Sequence, residues 1–74
     1  MGVDMKYSGV RPKELAALYR AVERSGVGVS QTGSGHVRMA FPDGSVAFGP
    51  LTSGDPNAHK IVARGLRARH GWTG

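Results

Sequence analysis

By type and spacing, His36 and Arg38 are the residues of this chain best suited to chemistry. They lie in a run where Val37, Met39 and Phe41 alternate with His36, Arg38 and Ala40. Successive side chains of a pleated strand point to opposite faces, so the three apolar residues take a core face and the imidazole and guanidinium share the other. An imidazole, which ordinarily titrates near neutrality, can take the proton of a sugar 2′-hydroxyl and supply one to a leaving oxygen. A guanidinium beside it can hold a phosphate and offset the charge that develops there. The chemistry within reach is metal-free cleavage at a ribose phosphodiester. The plainer reading of the same pair is two polar side chains on the solvent face of a sheet.

Two further groups of residues suit a polyanion. Gly33 and Gly35 sit in Thr32-Gly33-Ser34-Gly35, just before His36, where backbone N–H groups can face a phosphate. The stretch matches neither the Walker pattern nor the dinucleotide fingerprint, which favours a plain hairpin turn. Lys60, Arg64 and Arg67 recur at i, i+4 and i+7, with His59 beside them, and no acid follows Asp55. Such a stripe can lie along a phosphate backbone, with strongly salt-dependent binding. Its ordinary fate is a solvated helix face. His36, His59 and His70 follow no metal-ligand spacing and the chain has no cysteine, so neither a metal nor another cofactor is expected.

The elements that position these residues can be read in order. Pro12 suits a first helical turn, and Leu15, Leu18, Tyr19 and Val22 form one apolar stripe, which predicts a helix over residues 12–24 that stops at Ser25-Gly26. Val27 and Val29 mark a short strand, the His36 run a second, and Pro42-Asp43-Gly44 a turn into a third strand with Val46 and Phe48. Phe48, like Phe41 and Tyr19, is assigned to the core, so shape and backbone contacts are expected in place of base stacking. Residues 49–54 read as loop. Asp55-Pro56 reads as cap and first turn of a helix over residues 56–69, with Ala58, Ile61, Val62, Gly65 and Leu66 inward. Trp72 either folds back onto the core or sits in an interface.

The expected fold class is therefore α+β, in the order helix-strand-strand-strand-helix, with a three-stranded antiparallel sheet and both helices packed on one face. Residues 1–9 read as a flexible lead, with Tyr7 against the first helix, and residues 10–74 as one domain. Seventy-four residues lie near the lower end of what folds alone, which makes a homodimer reasonable. Nothing in the sequence looks like a signal peptide or a membrane span, so a cytoplasmic protein with no membrane partner is expected. Ten Lys and Arg against five Asp and Glu give a net charge of +5, which favours polyanions or acidic protein surfaces as partners. Nothing reads as a helix-turn-helix, which disfavours duplex DNA.

The pattern resembles the HicA-type toxins of bacterial and phage toxin–antitoxin pairs, small basic proteins with a double-stranded-RNA-binding-domain-like fold. The likeness spans roughly residues 12–69 and rests on the order of elements, on Gly33-Ser34-Gly35-His36, which looks like that family's glycine-serine-histidine motif, and on Pro42-Asp43-Gly44 beyond it. Two features depart from the pattern: Gly35 stands between serine and histidine, and Met39 stands where an aromatic residue is common. The resemblance implies an mRNA endonuclease that needs no metal, with His36 catalytic, and a cognate antitoxin that masks the histidine. Arg38, Lys60, Arg64, Arg67, Gly33 and Gly35 are the expected RNA contacts. The alternative is a small basic binding protein, phage-encoded, that keeps the fold without catalysis and attaches to a host protein or to nucleic acid.

Overall fold

The computed structural model of the chain describes Tyr7 and residues 9–74. Expected flexibility for residues 1–6 and Ser8 lies outside the described residues. Five elements follow one another: α1 (Lys13–Arg24), β1 (Gly28–Gln31), β2 (His36–Ala40), β3 (Val46–Pro50) and α2 (Ala58–His70). The strands form one antiparallel sheet in the order β1-β2-β3. Fold class and element order are as the periodicities indicate.

One sheet face is buried. Val29, Val37 and Met39 point from it into a core completed by Leu15, Ala16, Tyr19 and Val22 of α1 and Ala63 and Leu66 of α2. Each of the larger side chains among these contributes roughly 1.5–3 kcal/mol by leaving water, which is what holds a domain this small together. Both helices therefore lie on the same side. Tyr7 joins the core and its hydroxyl donates to Glu23 Oε1 at 2.7 Å, so it tucks against α1 as expected.

The helices run in the same direction. Arg11, ahead of α1, pairs in parallel with Thr52, beyond the end of β3. At the opposite end of the sheet, the His70 ring near the end of α2 stacks on Phe41 at 4.6 Å, beside the β2–β3 turn. Trp72, only 7 % exposed, donates its indole N–H to Ser25 Oγ at 2.9 Å and so closes α2 against the end of α1. Of the two alternatives for Trp72, the chain takes the core.

Several boundaries move. Pro12 is extended and precedes the helix, which begins at Lys13. Asp55 Oδ1 accepts from Asn57 N at 2.8 Å, which builds a turn one residue before the helix, and α2 starts at Ala58. Gly71, left-handed at φ 66°, ends α2 as the sequence predicts. Gly49 and Pro50 belong to β3 and not to a loop.

Two inward assignments are overturned. Phe48 and Ile61 are each 62 % exposed. The turn decides Phe48: Phe41 N donates to Ser45 O at 2.8 Å across a three-residue loop, with Gly44 at φ 92°. That pairing puts Ser45, Ala47 and Gly49 on the face of Phe41, and Val46, Phe48 and Pro50 on the other. At position 49 the inward place goes to a glycine because Tyr19 lies beneath it. A Cβ on Gly49 would collide with the Tyr19 hydroxyl, which donates to Pro50 O at 2.7 Å. For Ile61 the reason is the helix period: a residue two positions from buried Ala63 is turned about 160° away from it.

Candidate nucleic-acid interface

The sheet face opposite the core carries His36 and Arg38, both exposed, as the alternation predicts. Antiparallel register arranges the face in rows: Gly28, Ala40 and Val46; then Ser30, Arg38 and Phe48; then His36 and Pro50. No acidic residue occurs in any of the three strands. Leu51 N donates to Gly35 O at 3.2 Å and Phe41 N to Ser45 O, which marks the odd-numbered β3 positions as the hydrogen-bonded pairs. Arg38 and Phe48 are then a non-hydrogen-bonded pair, the type whose side chains stand closest, with Cβ atoms about 4.5–5.5 Å apart. His36 is diagonal to Phe48 at roughly 7–8 Å.

The loop before His36 is built around Thr32. Its Oγ1 accepts from Ser34 N and His36 N, each at 3.3 Å, and Thr32 N donates to His36 O at 2.9 Å. These amides turn inward to the hydroxyl, away from any anion. Gly35, at φ 83°, supplies the left-handed step that lets the loop close. Gly33 lies in the same turn, and Gly35 sets the approach to His36 through its left-handed step. Thr32 positions the histidine backbone, a role the sequence reading missed, although a hydroxyl ahead of a two-glycine turn is its usual sign.

The basic stripe divides. Lys60 and Arg64 are exposed on the helical layer, on the other side of the sheet from Arg38. Lys60 is nonetheless at the end of the fold where His36 lies, because α2 runs back along β3 from that end. Arg67 is engaged at the far end: its guanidinium lies over the Trp72 ring at 5.6 Å and donates to Gly74 O at 3.3 Å. His59 is half-buried with Nδ1 enclosed, so it faces away from the stripe. Arg11, unnoticed in the sequence, is exposed and comes to the His36 end through Arg11 N to Leu51 O at 3.1 Å.

A second cluster has the residue types of a hydrolase but the wrong order. Ser45 Oγ donates to Asp43 Oδ1 at 2.7 Å and meets His70 Nδ1 at 2.9 Å. An activated serine needs the imidazole between itself and the carboxylate, whereas here the hydroxyl proton is held by the acid. The Ser45 hydroxyl, with help from its backbone N–H, keeps the Asp43 carboxyl below the usual carboxylate range. The cluster ties α2 to the β2–β3 turn. Among the described residues no group of three or more His, Cys, Asp or Glu could hold a metal, and no helix is long and apolar enough to cross a membrane.

No family model, curated protein or solved structure matches the chain.

Proposed function

We propose that this protein is a HicA-like RNA-binding toxin, or a derivative of one, that receives RNA on the open face of its sheet. The observation that carries the reading is the pair His36 and Arg38, both exposed on one face of strands that hold no acidic residue. Arg38 holds the scissile phosphate. His36 takes the 2′-hydroxyl proton as that oxygen bonds to phosphorus, and the imidazolium returns a proton to the departing 5′-oxygen. The products are a 2′,3′-cyclic phosphate and a 5′-hydroxyl, and no co-reactant is needed. A cognate antitoxin would act by covering the same face.

A second reading has its own support. Among the described residues no side chain hydrogen-bonds the His36 ring, whereas a catalytic base is ordinarily oriented by a further group. That favours the binding protein without catalysis, directed at nucleic acid or at a host protein. Incubating purified protein with RNA in a chelator, alongside His36→Ala, separates the two. Cyclic-phosphate products from the native protein alone establish the nuclease, with growth arrest on expression lost in the same variant. Intact RNA with both proteins removes catalysis and leaves the binder.

A further inference from the structure

We infer that Phe48 is a stacking platform for one unpaired base, so that the RNA engaged by this face is locally single-stranded. The inference rests on the RNA-binding reading above and adds a contact residue to it. An aromatic ring 62 % exposed on a sheet is out of place in a domain that buries Tyr7, Tyr19, Phe41 and Trp72. At the sheet edge it borders a cleft with Ile61 and Val62 of α2, and on the strand side its neighbours suit a base. Val46 and Pro50 flank it along β3 and Arg38 stands directly across, while the row of Gly28, Ala40 and Val46 carries only short side chains. A ring of this kind stacks on any base, since every base has a π-face. Arg38 at about 5 Å and His36 at about 7–8 Å then lie where the ribose and phosphate of the stacked nucleotide run. Duplex RNA keeps its bases enclosed and has no partner for the ring. Charge selects nucleic acid over an apolar protein segment: the one charged side chain on the strands is Arg38, within a chain of net charge +5.

The test uses the full chain and two probes, a short single-stranded RNA and the same sequence as a duplex, with affinity followed by fluorescence anisotropy at several salt concentrations. A third probe carries abasic sites. Native protein should prefer the single strand. Phe48→Ala and Phe48→Leu should weaken it roughly five- to a hundredfold, and Phe48→Trp should not. The abasic strand should bind weakly and be indifferent to all three variants. Because Phe48 is exposed, the variants should keep the native circular dichroism and melting temperature. If Phe48→Ala binds as the native protein does while Arg38→Ala weakens binding, RNA is held through its backbone and stacking is refuted, with the RNA-binding reading intact. If the native protein binds neither RNA at low salt, both fail together. Self-association abolished by Phe48→Ala, with RNA affinity unchanged, would assign the ring to a protein contact and overturn the inference.

Discussion

Gly49→Ala should destabilise this protein even though alanine suits a strand better than glycine does. The added Cβ would collide with the Tyr19 hydroxyl and lie 3.3 Å from Cζ and 3.4 Å from Cε1. Tyr19 has no room to retreat, being fully buried with its hydroxyl bound to Pro50 O at 2.7 Å. Overpacking of this kind costs about 1–3 kcal/mol. A less flexible unfolded chain offsets about 0.4–1 kcal/mol of it, which leaves a net loss centred on about 1.3 kcal/mol and no larger than about 2.6 kcal/mol. In a domain of this size each kilocalorie lowers the melting temperature by about 4–8 °C.

Tyr19→Phe removes the hydroxyl and its hydrogen bond, at about 1 kcal/mol. On that background the new methyl group meets only ring carbons at 3.3–3.4 Å, which a shift of a few tenths of an ångström relieves. Gly49→Ala should then be nearly neutral, and the cycle should show a coupling of about 1–2 kcal/mol. Urea and thermal denaturation followed by circular dichroism on the four proteins measure it. Additive effects, or a neutral Gly49→Ala in the native background, would refute the placement of Tyr19 beneath β3. The outward direction of Phe48 would fall with it, since both follow from the same strand parity.

Burial raises the ionisation of Tyr19 well above its ordinary value of 10.0. The folded value exceeds the unfolded one, so this contribution to stability is whole below pH ~10 and declines as pH rises toward the folded value. The urea midpoint should fall above pH ~10 in the native protein and fall less in Tyr19→Phe; equal falls would deny the buried hydroxyl. Trp72→Ala should remove about 3–5 kcal/mol, a large part of what a small domain has, measured by urea denaturation. An unchanged midpoint would show that the Trp72 indole is not packed against Ser25.

What the sequence revealed and what it hid have a common cause. Alternation in β2 places His36 and Arg38 correctly because that strand has large apolar residues on one face and polar ones on the other. In β3 the larger residues, Val46 and Phe48, share the outer face, while the inner face carries Ala47 and Gly49, the latter fitted to the Tyr19 ring, so hydrophobicity alone selects the wrong face. Loop length held the answer: three residues between Phe41 and Ser45 set the parity. Ile61 misleads in the same way, since α2 packs through alanines and Leu66 and leaves Ile61, an aliphatic side chain as large as that of Leu66, exposed. Hydrogen bonds over distance, such as Trp72 to Ser25, leave no periodic trace. Arg67 looks like its stripe neighbours Lys60 and Arg64 until the fold brings the Trp72 ring beneath it.

The bond from Tyr19 to Pro50 also bears on how this sheet ends. β3 is an outer strand, and its outward backbone groups are those of Val46, Phe48 and Pro50, because the residues between them face β2. Pro50 has no N–H, and its carbonyl already accepts from Tyr19. An incoming strand therefore finds a ladder that stops after Phe48, too short to recruit one molecule after another. A protein that exposes an aromatic ring on its outermost strand is in this way kept from polymerising through that strand.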